Sequence, residues 1–207
     1  MTTVDTTHGS GKVWCIILAA GEGTRLRGFG AGGTVLDRPK QFCVFDGGPT
    51  LLGRALSRAL MLTSIDRVVP VVRRDHQHWW RPELTALPPH NIVVQPCNKG
   101  TGCGLLLPLV HVLLRDPHAV VVVLPSDHLV EHEQVLARAA RQGIEAVREH
   151  TDSAVLLGIQ PEEPDSDLGW IAPSMTSDRG LRAVLSFVEK PSTEVAERMK
   201  AAGGLVN

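Results

Sequence analysis

The chain has 207 residues, four cysteines and a formal net charge of −1. This length supports one α/β domain with a substantial core, burying roughly 70% of the surface that the unfolded chain exposes. Acidic and basic residues are interspersed, which excludes a basic nucleic-acid face and a polybasic membrane patch, so the expected partners are small molecules or proteins. The longest apolar run, Ala119 to Leu124, is far shorter than the roughly 20 residues of a membrane helix.

The first residues and the cysteines bear on the cellular compartment. Residues 1–12 lack the apolar stretch of a secretory signal and are expected to form a disordered leader. Cys15, Cys43, Cys97 and Cys103 form no C-x-x-C pair, and a chain of this size does not need disulfides to fold. We therefore expect reduced thiols and a cytoplasmic location.

A buried strand and the glycine-rich segment after it organise the chain. The apolar run from Val13 to Leu18 predicts a strand buried on both faces. It leads into a segment that we call the glycine loop, Ala20 to Arg25. Its two glycines, Gly21 and Gly23, let backbone N–H groups approach an anion, and its arginine and Lys40 add two positive charges. This combination is typical of a site for several phosphates rather than for a neutral ligand.

Two other phosphate-binding motifs are excluded by their spacing. A dinucleotide fingerprint needs a third glycine three residues after the second, but the next glycine after Gly23 is Gly28. A P-loop needs Gly-Lys-Ser/Thr, whereas Phe29 follows Gly28. A glycine-rich turn without a ligand explains the glycines alone equally well. Arg25 and the segment P-K-Q-F at 39–42 favour the binding loop.

Apolar periodicity predicts strands that alternate with helices along the rest of the chain. The expected further strands are 68–72, 91–94, 119–124, 153–159 and 184–188, and the expected helices are 50–62, 75–87, 103–114, 131–149 and 193–202. This alternation predicts a Rossmann-like, doubly wound, mostly parallel α/β sheet. In the first helix, apolar residues from Leu51 to Leu60 are expected to face the core, with Arg54 and Arg58 on the opposite side. Trp79 and Trp80 are adjacent, so one is expected inside and the other nearer the surface.

Asp127 follows the strand 119–124 at its carboxyl end, the edge where ligands bind in open α/β sheets. A single carboxylate beside a phosphate loop can hold Mg²⁺, with waters and substrate phosphates as the remaining ligands. Taken alone, Asp127 is better explained as the N-cap of the next helix. The neighbouring glycine loop makes a metal ligand the favoured interpretation, and His128 is expected to be structural or substrate-orienting.

These segments resemble a known enzyme family. L-A-A-G-E-G-T-R-L at 18–26, followed by R-P-K-Q-F at 38–42, resembles the signature of the sugar-phosphate nucleotidyltransferases, and P-K-Q-F is similar to the mannose-1-phosphate guanylyltransferase branch. Four later segments follow in the family's order: Q-P-C-N-K-G-T-G at 95–102, L-P-S-D-H at 124–128, L-G-I-Q-P with L-G-W-I between 157 and 171, and F-V-E-K-P at 187–191. Five motifs in sequence are far more specific than any one of them.

The resemblance implies the nucleotide-diphospho-sugar transferase fold over 13–207, with a nucleotide-binding half at 13–150 and a partial sugar-phosphate-binding half at 151–207. The implied nucleotide contacts are Ala19, Ala20, Gly21, Gly23, Thr24, Arg25, Gln95, Lys99, Gly100 and Thr101. The implied sugar-phosphate contacts are Gly169, Glu189, Lys190 and Asn207. The implied catalytic residues are Arg25, Lys40, Asp127 and Lys190, with Asp127 as the metal ligand.

The glutamate and lysine of F-V-E-K-P suit a sugar phosphate chemically. The Glu189 carboxylate can accept hydrogen bonds from two sugar hydroxyls, while the Lys190 ammonium meets the phosphate. Taken alone, the two residues are better explained as an exposed ion pair.

The chain departs from the family pattern at three places. Gln95 stands where the family usually has glutamate, and Cys103-Gly104 replaces the more common Pro-Ala or Pro-Gly. Val206 stands where a tryptophan usually precedes the sugar-binding asparagine, here Asn207. In the family more chain follows, including a second metal-binding aspartate and a dimer-forming region. The sequence is therefore expected to be truncated relative to the family.

The resemblance implies Mg²⁺-dependent transfer of a nucleotidyl group from a nucleoside triphosphate to a sugar 1-phosphate. The motifs P-K-Q-F and P-S-D-H favour GTP as the triphosphate and mannose 1-phosphate as the acceptor. A homodimer is left open, as is thymidylyl, uridylyl or cytidylyl transfer to another sugar phosphate. A second hypothesis is a nucleotide-binding or regulatory module without turnover. A third hypothesis is a cofactor-maturation nucleotidyltransferase. The motif F-V-E-K-P disfavours it, because in the family this motif serves a sugar phosphate.

Overall fold

The structure, a computed structural model, describes residues 11–22, 38–97 and 100–207. Its strands are β1 (Val13–Ala19), β2 (Val68–Arg73), β3 (Val93–Gln95), β4 (Val120–Pro125), β5 (Gly169–Pro173), β6 (Val184–Glu189) and β7 (Leu205–Val206). Its α-helices are α1 (Leu51–Leu60), α2 (Gln77–Glu83), α3 (Gly100–Leu113), α4 (Glu133–Glu149) and α5 (Thr193–Ala201). Residues 1–10 of the expected leader lie outside the described residues. The carbonyl of Lys12 accepts a hydrogen bond from the Val120 N–H.

The chain divides into two compact units, Met1–Thr151 and Asp152–Asn207. The first unit contains a four-stranded parallel sheet in the order β3-β2-β1-β4. The chain moves outward from β1 through β2 to β3 and then returns to the other side of β1 as β4. The strand order therefore reverses between β1 and β4, and in open α/β sheets ligands bind beside the carboxyl ends of the strands at such a point.

Both faces of β1 are buried, as a continuous apolar strand requires. Successive side chains of a strand point to opposite faces. Cys15 and Ile17 therefore pack with α1 and α2 on one face, while Trp14 and Ile16 pack with α3 on the other. Helices on both faces of a parallel sheet confirm the predicted doubly wound α/β fold.

Arg58 of α1 lies on the buried face of its helix, and its expected exposure is wrong. Its side chain is 1% exposed, whereas Leu60, which was expected in the core, is 48% exposed. The buried positions of α1 include Leu51, Leu52, Ala55 and Arg58. Because position 58 is two helical turns after position 51, it lies on the same buried face of the helix as Leu51. Arg58 is therefore buried although its side chain is charged.

The second predicted helix, 75–87, is shorter in the structure. Residues 74–76 form a 3₁₀ turn, and α2 ends at Glu83, one residue after Pro82, which has no N–H to donate to the preceding turn. Trp80 is buried and donates its indole N–H to the Arg73 carbonyl at 2.7 Å. Trp79 is half-buried and stacks on Phe42 with ring centroids 5.8 Å apart. One tryptophan inside and one nearer the surface is what the sequence predicted.

The strand predicted at 153–159 is wrong. The described segment pairs at a single position, where Ile159 and Val206 each donate an N–H to the other's carbonyl at 2.8 Å. The remaining residues have no partner strand to complete a ladder, and a strand exists only through such pairing. Gly158 also passes very close to Leu205, because a Cβ at this glycine would lie 2.6 Å from a Leu205 methyl carbon.

The second unit contains a three-stranded antiparallel sheet in the order β6-β5-β7. Its small core joins Trp170 of β5, Ala196 of α5 and Val206 of β7. Ser192 is the N-cap of α5, because its side chain accepts the Val195 N–H. In neither unit does a described helix reach the length and apolarity needed to span a membrane.

The four cysteines are free thiols with contrasting surroundings. Cys15 and Cys43 are buried, whereas Cys97 and Cys103 are exposed. Burial raises the pKa of the Cys15 thiol to about 12 and also raises the pKa of Cys43. Because the thiolate is the reactive form, we expect a maleimide at pH 7.5 to modify Cys97 and Cys103 in the native protein and the other two only after unfolding. Peptide mass spectrometry identifies the labelled sites, and rapid labelling of Cys15 in the native protein would contradict this packing.

Candidate active site

The end of β1 and the end of β4 are joined by a short hydrogen-bonded bridge. Ser126, the residue after β4, donates its hydroxyl to the Leu18 carbonyl at 2.6 Å and its backbone N–H to the same oxygen at 3.3 Å. Ser126 is buried, and Asp127 follows it directly. The bridge thus fixes the Asp127 backbone at the carboxyl edge of the sheet, where the strand order reverses.

The segment P-K-Q-F forms a 3₁₀ turn at Lys40–Phe42. The Phe42 ring is buried in the core between the sheet and α1, which anchors the turn. Gln41 is 3% exposed, and its side-chain amide donates to the carbonyls of Ala19 and Gly21 at 3.2 and 3.0 Å. The turn is therefore attached directly to the start of the glycine loop.

Lys40 and Asp127, both predicted catalytic residues, lie opposite each other. The Lys40 Nζ is 3.9 Å from the Asp127 Oδ2, and the two side chains are 34% and 48% exposed. At this distance and exposure the ion pair is weak, so either group can exchange its partner for a ligand. The site presents one positive and one negative group beside the glycine loop.

His128 lies on the other side of the Asp127 carboxylate, with its Nε2 3.9 Å from Oδ1. Partial burial lowers the pKa of His128 below its usual range, and the nearby Asp127 carboxylate opposes this shift. The imidazole is therefore neutral at neutral pH, consistent with an orienting group.

A buried ion pair supports the loop that carries Asp127 and His128. Arg58 donates from Nε and Nη2 to the two carboxylate oxygens of Glu133, both at 2.7 Å. Its Nη2 also lies 3.5 Å from the His128 carbonyl. Glu133 is the first residue of α4. Sequence reasoning missed this contact, although the spacing of Arg58 from Leu51 in α1 was an available signal.

The edge strand β3 leads into the motif Q-P-C-N-K-G-T-G, which contains predicted nucleotide contacts. Gln95 ends β3 and pairs in register with Arg73 of β2, whose guanidinium lies 3.6 Å from Glu22 in the glycine loop. The Gln95 side chain is buried and lies under α3, because its Nε2 would be 3.6 Å from a Cβ on Gly104. A Cβ at residue 104 would be in ordinary van der Waals contact with this amide.

Helix α3 begins at Gly100, three residues before its predicted start, with a positive φ of 78° at that glycine. Thr101 therefore lies in the first turn of the helix. The nucleotide contacts predicted for Ala19, Ala20, Gly21, Gln95, Gly100 and Thr101 stay predictions. Those predicted for Gly23, Thr24, Arg25 and Lys99 fall outside the described residues.

The four predicted sugar-phosphate residues lie together within the second unit. Gly169 pairs in register with Glu189, and its carbonyl accepts the Asn207 N–H at 2.9 Å. The Lys190 N–H bonds to the neighbouring carbonyl of Leu168 at 3.2 Å. Lys190 has a positive φ of 46°, a conformation that costs a non-glycine residue roughly 1–2 kcal/mol. Such strain at a non-glycine residue is common at functional sites.

Two side chains of β6 lie close to the backbone of Gly169. A Cβ at this position would lie 2.5 Å from the Phe187 ring and 2.9 Å from the Glu189 Oε2. We expect Gly169→Ala to lower the free energy of unfolding of the second unit by about 1 kcal/mol, the lower end of the usual cost of overpacking, because the exposed side chains of Phe187 and Glu189 can shift. Urea unfolding followed by tryptophan fluorescence measures this change, with Trp170 as the fluorophore of the second unit.

Gly102→Ala is the control for that substitution, because a Cβ at Gly102 meets no described atom within 4 Å. Since alanine favours a helix by about 1 kcal/mol over glycine, it should not destabilise the protein. If Gly169→Ala were as stable as the wild type, the close packing of Phe187 and Glu189 on β5 would be wrong.

Comparison with known proteins agrees with this arrangement. The family model described as nucleotidyl transferase matches residues 14–206. The alginate biosynthesis protein AlgA of Pseudomonas putida is 28% identical over 91% of this chain and 38% of its own length. Mannose-1-phosphate guanylyltransferase 2 of Escherichia coli O157:H7 is 29% identical over 91% of this chain and 40% of its own length. The chain thus spans about two fifths of the curated relatives that it matches.

A solved structure supports the same assignment. The Thermus thermophilus protein titled mannose-1-phosphate geranyltransferase superposes on 95% of this chain and 55% of its own chain, with a TM-score of 0.79 and 28% identity. The matched family model covers the parallel sheet, the Lys40 turn, Asp127 and the second unit, in the order that the motifs predicted. The chain belongs to the nucleotidyl transferase family.

Proposed function

We propose that the chain carries the nucleotide site and sugar-phosphate contacts of a Mg²⁺-dependent enzyme that joins GTP to mannose 1-phosphate and releases pyrophosphate. The observation that carries the proposal is the opposition of Lys40 and Asp127 at 3.9 Å, at the point of the parallel sheet where the strand order reverses. The guanylyl group and the mannose phosphate are suggested by the E. coli relatives named mannose-1-phosphate guanylyltransferase.

The reaction needs charge neutralisation more than bond-making groups. An oxygen of the sugar 1-phosphate bonds to the α-phosphorus, the bond from that phosphorus to the bridging oxygen breaks, and pyrophosphate leaves with the electron pair. A phosphate dianion is already nucleophilic, so positioning and electrostatics dominate. Lys40 and Arg25 would neutralise the triphosphate and the departing pyrophosphate, and Lys190 would hold the attacking phosphate.

The chemistry of Asp127 fits Mg²⁺. No cluster of three or more His, Cys, Asp or Glu side chains that could hold a metal occurs among the described residues, so a protein-only cage is not available there. Mg²⁺ typically uses one or two carboxylates and takes waters and substrate phosphates as its other ligands, and Asp127 is a half-exposed carboxylate at the sheet edge. When bound, Mg²⁺ would supply positive charge to the α-phosphate. Asp127 would hold it.

The second unit would bind the sugar and contact its hydroxyl groups. The Glu189 carboxylate would accept hydrogen bonds from hydroxyl groups, as an ionised acceptor does. The backbone at Gly169 leaves no Cβ between β5 and the Glu189 carboxylate, and Asn207 is bonded to the same glycine. We include all three residues in the proposed sugar site, together with Lys190.

Pyrophosphate release tests this proposal. The chain is incubated with Mg²⁺ and mannose 1-phosphate and with GTP, ATP, CTP, UTP or dTTP in separate reactions, and an EDTA reaction serves as the blank. Release with GTP alone supports both the reaction and the base. Release with a different triphosphate corrects the base. Binding of GTP without release from any reaction would favour a nucleotide-binding module over an enzyme.

A further inference from the structure

We infer that Gln41 is a positioning residue for the glycine loop, which turns two backbone N–H groups of that loop toward the bound triphosphate. This inference rests on the proposed function. The side chain of Gln41 is neither charged nor exposed. Its role in the Lys40–Phe42 turn is therefore separate from that of Lys40.

The contacts of Gln41 are specific to a carboxamide. Its Nε2 donates to the carbonyls of Ala19 at 3.2 Å and Gly21 at 3.0 Å. A carboxamide nitrogen carries two protons, so these two bonds use both of them. The side chain is 3% exposed, and the carbonyl of Ala19 is buried, so losing its donor costs free energy. An ionised glutamate at this position would have no proton to donate.

These two hydrogen bonds also fix the direction of two backbone N–H groups, because of the geometry of the peptide unit. The described peptide bonds are trans, and in a planar trans peptide the N–H points opposite to the C=O of the same unit. The carbonyl of Ala19 shares its peptide with the N–H of Ala20, and the carbonyl of Gly21 shares its peptide with the N–H of Glu22. Both N–H groups therefore point away from the Gln41 amide.

Two N–H groups on one side of a short loop form an anion-binding surface. Among the described residues, no atom lies within 4 Å of where a Cβ on Gly21 would be, and Gly21 and Glu22 are exposed. The buried Phe42 holds the turn, Lys40 reaches toward Asp127 from it, and Gln41 reaches the loop. One 3₁₀ turn thus couples the charge of Lys40 to the backbone orientation of residues 20–22.

The Gln41→Met variant tests this inference, because methionine keeps the volume and the unbranched shape but removes both donors. We expect the ¹⁵N–¹H signals of Ala20 and Glu22 in the free protein to shift and to exchange faster with solvent. We also expect the Kd for GTP to rise by about tenfold to a hundredfold, the scale of one or two lost hydrogen bonds. Gln77→Met, on the exposed start of α2, is the matched control and should change neither measurement.

The outcomes separate this inference from the proposed function. Unchanged Ala20 and Glu22 signals would overturn the orienting role whether or not GTP binds. Shifted signals with an unchanged GTP affinity would also overturn it, because the loop would then be held for stability alone. Absence of triphosphate binding by the wild type would overturn the proposed function, while the amide signals still decide the loop geometry. If Gln41→Met does not fold, Gln41→Asn replaces it: asparagine keeps both protons on a side chain one methylene shorter, and the same two signals should shift.

Discussion

Asp127→Asn is expected to lower Mg²⁺-dependent pyrophosphate release by a factor of about 10² to 10³, because a metal ion supplies several kcal/mol of charge stabilisation in the transition state. The substitution keeps the shape of the side chain and removes only its charge. The measurement is the turnover rate with GTP and mannose 1-phosphate at saturating Mg²⁺. Asp152→Asn, at an exposed position of the second unit, is the control and should keep the wild-type rate.

The Asp127→Asn variant should also change the affinity for GTP, in opposite directions with and without Mg²⁺. The Asp127 carboxylate lies 3.9 Å from Lys40 and would repel a triphosphate when no cation is bound. In EDTA the Asp127→Asn variant should therefore bind GTP more tightly than the wild type, and in Mg²⁺ more weakly. Calorimetric titration under both conditions measures this crossover. Equal affinities in EDTA and in Mg²⁺, for the wild type and the variant alike, would remove Asp127 from the metal site.

Arg58→Ala is expected to lower the free energy of unfolding of the first unit by about 3 kcal/mol. Its guanidinium is 1% exposed and binds Glu133 through two bonds of 2.7 Å. Removing one partner of a buried ion pair typically costs about 3–5 kcal/mol because the other charge stays buried. Glu133 is 22% exposed, so we expect the lower end of that range. Urea unfolding monitored by far-UV circular dichroism measures the change.

The same helix provides the control for this prediction. Arg54 lies one turn earlier in α1 and pairs with Asp46, and these side chains are 21% and 52% exposed. Exposed pairs contribute about 0–1 kcal/mol, so Arg54→Ala should change the free energy of unfolding by less than about 1 kcal/mol. Equal losses for the two substitutions would contradict the distinct burial of Arg58.

Strong apolar runs made much of the first unit predictable. Residues 13–18 and 119–124 were expected as buried strands, and the structure has β1 and β4 there. Helices between them implied a parallel sheet with two covered faces, which the structure has. The segment 153–159 shows the limit of this reasoning, because a β-branched or apolar stretch becomes a strand only when a partner strand lies beside it.

The sequence by itself determined the family motifs, the doubly wound fold and the residue types that suit phosphate, metal and sugar. Only the tertiary structure decided which of them meet. Lys40 and Asp127 lie far apart in the chain, yet they are 3.9 Å apart because β1 and β4 are neighbours in the sheet. Gln41 reaches two carbonyls, and Arg58 is buried against Glu133. Such contacts depend on strand order and on how elements pack, which are non-local properties that the periodicity of a sequence does not contain.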